Sequence, residues 1–541
     1  MSSIISTMEY YNDWPNEYPY FIPMVNNAMA NLASKSLLYS NSNYSKKERL
    51  SRSDLPSILN SLVQTGDRLD IFHDEKIESG DKLDYVIHSL FSSQFWYNRN
   101  ITKEKIGLLY SLYQEIPTEF RDELKEIYGE HFIDIPDLLS TDIGISISKY
   151  LISCVYLVYI HHKVLYDKYL EPSEEAKEYI RLFESDEDSQ NGIRQELILN
   201  ILENSISYYP LFGFSKQPSF LSSFSLTQLL GFLSEPEIDA FLRLTSKNIS
   251  ELRKINSETW HQKGHISQRL SPFERYPILK LDFPCYIIPN LRFFELGITE
   301  LIRFELQQLF LEDNNFHEVM GSIQELFLIK LLKQLDSPEF IVIKERSYVR
   351  NKSEYKGPDV IIIDKGRPIL VESKAKQLLL DTRLKPDLDI LNKNIKPVIS
   401  ALVKLNEEKF EDLYDNEIYS DIQDKLIERE SVQPLFVGVM GEGPIAFQEQ
   451  VSKLKKQKKD HDLNQIKYPT VFIDVFNFYR AVEMSKTNDT SLYEILEKYW
   501  LTGSSLEPKS SASDDFEGLK YNLEKSYSKE RFDLMMDEIF S

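Results

Sequence analysis

The sequence predicts an α/β protein: a mixed central sheet flanked by helices, with a large, mostly α-helical region N-terminal to it. Three observations carry this. Residues 1 to about 260 repeat their apolar side chains at three-and-four spacing, the period of helices with one buried face. From Phe316 onward the pattern alternates as helix, three strands, helix, strand, helix or loop, strand, helix. At 541 residues with 42% hydrophobic side chains, the chain is also too long for one core, so several structural units are expected.

Taken in order, helices are expected over Lys82–Tyr97, Lys103–Tyr113, Glu119–Tyr128, Ser146–Tyr169 and Ser173–Phe183, with shorter ones at Ser225–Leu233 and Glu235–Leu244. Loops are marked by Ser40–Ser45 and by the acidic stretch Glu184–Asn191. The segment Tyr276–Asn290 combines prolines, β-branched residues and aromatics, which suits one or two short strands, and Leu296–Phe310 follows as a helix. Phe316–Leu335 is a helix, Phe340–Lys344 a strand, and two further strands flank a charged turn at Asp364–Arg367. Asp387–Phe410 is a long helix interrupted at Pro397; Pro434–Met440 and Pro469–Asp474 are strands, the second leading into a helix over Phe476–Met484. Thr502–Ser513 is serine-rich and linker-like, and Phe516–Phe540 is a final amphipathic helix or helix pair. The expected division is therefore 1–260 helical, 261–315 short strands and a connecting helix, 316–500 the α/β unit, and 501–541 linker and helix.

Bulk properties narrow the function classes. Cys154 and Cys285 are the only cysteines and form no CxxC, which disfavours a disulfide framework or structural zinc. The N-terminus shows neither a basic start nor an apolar core, and the longest apolar stretch, Ile145–Ile160, is broken by Lys149 and serines. A cytoplasmic protein with no membrane association is expected. The net charge of −22 is unevenly spread: residues 1–200 hold 19 basic against 32 acidic side chains, whereas residues 351–400 hold 10 against 7. A local basic groove is compatible with that distribution, and the acidic helical half points to a protein partner or homo-oligomer rather than to nucleic acid.

The stretch KGPDVIIIDKGRPILVESKAK, Lys356–Lys376, carries the chemistry. If Lys365 and Gly366 form a two-residue hairpin loop, Asp359 lies directly opposite Glu372, with Cβ atoms roughly 5 Å apart. Two carboxylates facing each other repel unless a divalent cation sits between them. Lys374, two residues on, projects from the same face as Glu372. Two acids and a lysine around a cation make a hydrolytic site for phosphodiesters.

These residues resemble the PD-(D/E)XK superfamily of restriction-endonuclease-like nucleases. Pro358 and Asp359 give a literal PD, twelve residues separate Asp359 from Glu372, and Glu372-Ser373-Lys374 fills the ExK. Gly321–Leu332 looks like the first core helix of such proteins, with Glu325 as its metal-facing acid. The resemblance covers about Phe316–Met484, a third of the chain. It implies a restriction-endonuclease-like core in which Asp359, Glu372 and the backbone carbonyl of Ser373 bind Mg²⁺ (or Mn²⁺). Lys374 would orient or deprotonate the attacking water, and Glu325 would complete the outer shell or hold a second ion. Lys376 and Arg383 would bracket phosphates. It further implies DNA as substrate and a role as an endonuclease in prokaryotic restriction or anti-phage defence. One departure weakens an exonuclease assignment: the helix after the ExK presents IKPVISALVKL where exonuclease-like members carry a glutamine and a tyrosine.

Each reading has a plainer rival. Asp359, Glu372 and Lys374 also suit an ordinary hairpin carrying a surface salt bridge, and Glu325, Lys376 and Arg383 suit solvated charges. A second spacing match, Asp389 followed by Glu407, Glu408 and Lys409, lies in a helical pattern with no strand around it and is rejected. His161 and His162 have no partner at ligand spacing, and the lysine run Lys453–Lys459 suits a solvated helix or loop. A catalytically silent nuclease-fold scaffold, and RNA as substrate, stand as alternatives.

Overall fold

The structure is a computed structural model. It describes residues 103–157, 212–217, 225–254, 276–288, 315–350, 353–374, 400–440, 470–502 and 525–540, with short gaps inside some of these ranges and isolated residues between them. The expected helices at 82–97 and 173–183, His161, His162, Lys376, Arg383 and the lysine run 453–459 lie outside the described residues.

The central element is a mixed five-stranded sheet, as the alternation of elements predicts. Its order is β11-β10-β9-β8-β5, built from β5 (Phe340–Lys344), β8 (Val360–Asp364), β9 (Arg367–Lys374), β10 (Leu435–Met440) and β11 (Thr470–Asp474). β8 runs antiparallel to both of its neighbours, β5 and β9, whereas β9, β10 and β11 are mutually parallel. Every residue of β8 is buried, which explains its unbroken apolar run: both faces of this strand are covered. The turn between β8 and β9 has Lys365 at φ 51° and Gly366 at φ 80°, two successive left-handed residues of the kind a type I′ hairpin requires. Pro368 fits within β9 because its missing N–H faces the β10 side, where pairing begins only at Ile369.

Helix α5 (Asn315–Leu332) packs against β9 and β5. It buries Val319, Ile323, Phe327, Leu328, Leu331 and Leu332, and Gln324 is buried with them. α7 (Val475–Asn488) and α8 (Leu492–Thr502) close the β11 side. Both start on aspartates delivered by strands. Asp474 accepts from the N–H groups of Phe476 and Asn477, and buried Asp364 accepts from Ser491 Oγ at 2.7 Å and from the Tyr493 N–H at 2.9 Å. The turn residue Asp364 is thus the anchor of a helix that the sequence pattern leaves unassigned.

Helices from both ends of the chain join this core. α1 (Lys103–Tyr110), α2 (Arg121–Tyr128), α3 (Ile147–Leu157) and α9 (Tyr527–Phe540) share one continuous set of buried apolar residues with α5 and the sheet. A buried bidentate pair, Glu104 with Arg480, ties α1 to α7, and Glu115 meets Lys330 and Arg531 at 2.9 and 2.8 Å. α1 and α9 cross so closely at Gly107 that a Cβ there would lie 1.9 Å from the Ser528 carbonyl oxygen. Strands on both sides of residue 260 also form one sheet, of order β1-β4-β3-β2, from β1 (Phe212–Ser215), β2 (Ser246–Asn248), β3 (Ile278–Lys280) and β4 (Cys285–Ile288). Strands β1 and β2 therefore interrupt the region expected to be helical. Of the expected Leu296–Phe310 helix only scattered residues are described.

A further two-stranded piece, β6 (Ser347–Arg350) with β7 (Ser353–Lys356), stands between β5 and β8, with Tyr348 stacked on Tyr355. No single helix among the described residues is long and apolar enough to cross a membrane.

Candidate functional site

The β8–β9 hairpin has the register that its turn predicts: Val360 pairs with Val371 and Asp364 with Arg367, so Asp359 and Glu372 are the next pair along the ladder. Asp359 also lies beyond the last pair of the β5–β8 ladder, where its carbonyl accepts the Glu345 N–H at 3.1 Å. Its side chain turns toward β9: Oδ2 accepts the Ser373 backbone N–H at 2.7 Å. Charge-assisted bonds of this length hold a carboxylate firmly in one place.

Pro358 has a physical role here that the motif letters alone do not convey. In an antiparallel ladder the N–H and C=O of one residue face the same neighbour. The Ser373 N–H points to the β8 side, so its carbonyl does too, and the residue across from it in this register is Pro358. A proline has no N–H to give. The ladder therefore ends at this carbonyl, beside the Asp359 carboxylate and next in chain to Glu372.

Glu372 is buried at 7% exposure and Ser373 at 3%. The two alternate across the strand. Ser373 Oγ accepts from Gln324 Nε2 of α5 at 2.9 Å, and the same amide lies 3.4 Å from the Val439 carbonyl. Glu372 takes the opposite face, where its Oε2 meets Lys409 Nζ at 3.2 Å, both side chains being largely buried. Lys409 ends the helical turn Leu405–Lys409 that leads into α6 (Phe410–Asp415). Phe410 packs edge-on against Phe436 of β10, which seats this helix on the sheet.

Glu325, the acid expected from α5, is half-buried. Its charge acts on Lys356, at the end of β7. That ammonium lies 3.4 Å from Glu345, and its pKa is raised first by Glu345, with Glu325 and Asp359 adding to the effect. Lys374 closes β9, in register with Met440, and its side chain lies outside the described residues. The structure thus joins Asp359 to Ser373 by a hydrogen bond and sets Asp359 across from Glu372 in register, while Glu325 acts with Asp359 on the Lys356 charge.

Sequence reasoning missed Gln324, Glu345, Lys356 and Lys409. Gln324 offered a signal, being a polar residue on the apolar face of α5. Lys356 stood inside the informative stretch. Lys409 belonged to the rejected spacing match; its strand-less context argued correctly against a hairpin motif but said nothing about a helix packing onto one.

Among the described residues, no three His, Cys, Asp or Glu side chains converge as a ligand set. The donors at hand are two carboxylates and a main-chain carbonyl, all oxygen. That set suits a hard cation such as Mg²⁺ or Mn²⁺, which keeps several waters and needs few protein ligands. No protein-family model, no curated protein and no solved structure matches this chain.

Proposed function

We propose that the protein is a metal-dependent nuclease of the PD-(D/E)XK kind that hydrolyses DNA phosphodiester bonds, acting as an endonuclease in prokaryotic restriction or anti-phage defence. The observation that carries the reading is the end of the β8–β9 ladder. Asp359 is fastened to the Ser373 N–H, and the register that sets Val360 opposite Val371 puts Pro358, which has no N–H to give, across from Ser373 and Asp359 across from Glu372. As a structural choice this is poor, because it sets two carboxylates opposite each other. As a cation site it is economical.

Asp359, Glu372 and the Ser373 carbonyl would hold Mg²⁺ or Mn²⁺, and Glu325 is assigned to orienting a metal-bound water. A bound Mg²⁺ supplies Lewis-acid polarisation of the phosphate and a more acidic water. Lys374 is assigned the remaining work on the substrate: orienting the attacking water and neutralising the charge that builds on phosphorus. Lys376 and Arg383 are assigned to neighbouring phosphates. The test is cleavage of plasmid and linear DNA with Mg²⁺, with and without chelator. Asp359→Ala, Glu372→Ala and Lys374→Ala should each abolish it, and undiminished cleavage in all three overturns the reading. Parallel incubation with RNA decides the substrate.

One observation favours a second reading, a nuclease-fold scaffold without turnover: Lys409 already balances Glu372. A scaffold of that kind would show no rise in melting temperature with Mg²⁺ or Mn²⁺, because a ligand stabilises only the state that binds it.

A further inference from the structure

The ion pair between Lys409 and Glu372 bears on how a metal enters the site. Lys409 is not a loose surface lysine. Its Nζ is 3.2 Å from Glu372 Oε2, and the two side chains are 13% and 9% exposed. The helix that carries it is clamped independently of that contact. Phe410 is fully packed against Phe436, and Asp412, one turn on and itself buried, takes a hydrogen bond from Tyr348 of β6. Beyond α6 the chain is gripped by Arg346, which forms a two-pronged pair with Asp421 at 2.6 and 2.8 Å and stacks over Tyr419. Gly357, beside Pro358, lets Tyr419 come in: a Cβ at that position would meet the Tyr419 hydroxyl at 2.4 Å. The residues around Asp359 and the helix bearing Lys409 are thus fixed to each other, and the ammonium is delivered to Glu372 by a rigid frame.

A carboxylate this buried needs a counter-charge whether or not metal is present, since an unpaired buried charge is strongly destabilising. Lys409 is a cationic partner of Glu372 on the protein, and by the reading above a metal ion from solution is another. We infer that Lys409 is the resident counter-ion of Glu372, which a divalent cation must displace or share in order to bind; it sets the metal affinity of the site while keeping the metal-free protein folded. The inference rests on the nuclease reading for the identity of the ligand. Lys409 acts through Glu372 and is a positioning residue, not one that touches the substrate.

The test uses the full chain, Mn²⁺ alone as probe, and melting temperature and Mn²⁺ binding as readouts. Lys409→Met keeps the apolar stem and removes the charge. Without metal it should melt well below the natural protein. Saturating Mn²⁺ should then raise its melting temperature by more than it raises that of the natural protein, because the metal replaces the lost counter-ion. Its Mn²⁺ affinity should rise about tenfold, the size expected for release of one hydrogen-bonded charge pair. Lys409→Arg, which retains the charge, should behave as the natural protein in both respects. A lysine with a purely structural role would lower both melting curves equally and leave Mn²⁺ affinity unchanged, and that result overturns the inference. Should Lys409→Met not fold with or without Mn²⁺, Lys409→Gln carries the same comparison. If the natural protein binds no Mn²⁺ at all, the nuclease reading itself fails; if it binds Mn²⁺ but Lys409→Met binds no more tightly, only the role of Lys409 does.

Discussion

Replacing Asp359 separates two things that the site geometry combines, a hydrogen bond and a charge. Asp359 accepts the Ser373 N–H at 2.7 Å in a half-buried setting. A hydrogen bond to a charged group of this kind contributes about 1.5–3 kcal/mol. Against it stands the cross-strand repulsion with Glu372, worth about 0.2–1 kcal/mol. Asp359→Ala loses the first and relieves the second, leaving a net destabilisation of about 1–2 kcal/mol. In a unit of this size that lowers the melting temperature by roughly 2–8 °C. Asp359→Asn keeps an acceptor oxygen for Ser373 and removes the repulsion, so its metal-free stability should match the natural protein within about 0.5 kcal/mol. Both variants should lose cleavage and the rise in melting temperature with Mn²⁺. The decisive pair of assays is thermal melting with and without Mn²⁺, alongside plasmid cleavage. An Asp359→Asn protein that cuts DNA at the natural rate, or still gains stability from Mn²⁺, refutes the assignment of this carboxylate to the metal.

Two further predictions concern the frame around the site. Gly107→Ala pushes a methyl group into the Ser528 carbonyl, where the close atom is main chain and cannot simply rotate away. Overpacking of this kind costs about 1–3 kcal/mol; α9 should become accessible to limited proteolysis, and an unchanged digestion pattern would show that α1 and α9 do not cross this closely. Glu483 is 2% exposed, and burial raises its carboxyl pKa although it accepts the Tyr527 N–H. A carboxyl raised in the folded state holds its proton more tightly there, so its contribution is present at low pH and is lost as pH rises from the ordinary glutamate value through the folded value. Glu483→Gln should therefore be more stable than the natural protein above that window and show a flatter pH dependence of melting; a parallel pH profile would contradict it.

How much of this was legible beforehand differs from residue to residue. The hairpin register was readable on the condition that Lys365 and Gly366 form a two-residue loop, because loop length fixes which residues face each other, and the structure has that loop. The α5 helix and strands β5, β10 and β11 were readable from period and composition. The strands β1 and β2 were not, because each is too short to display a period and each is held by partners distant in sequence, Cys285–Ile288 and Ile278–Lys280. The β6–β7 hairpin escaped for a related reason: Ser347–Lys356 is polar, and a strand that buries little apolar surface leaves little alternation to see.

Sequence alone determined the local facts: an Asp and a Glu brought face to face by a two-residue turn, a proline opposite Ser373, and an apolar helix with an acid in its middle. These depend on neighbours within about twenty residues, and backbone stereochemistry decides them. Tertiary structure alone decided what surrounds the pair. Gln324 under Ser373 and Lys409 on Glu372 arrive from 49 and 37 residues away along the chain. Such contacts are chosen by which faces of helices and strands must be buried together, and no spacing rule in one dimension encodes that choice.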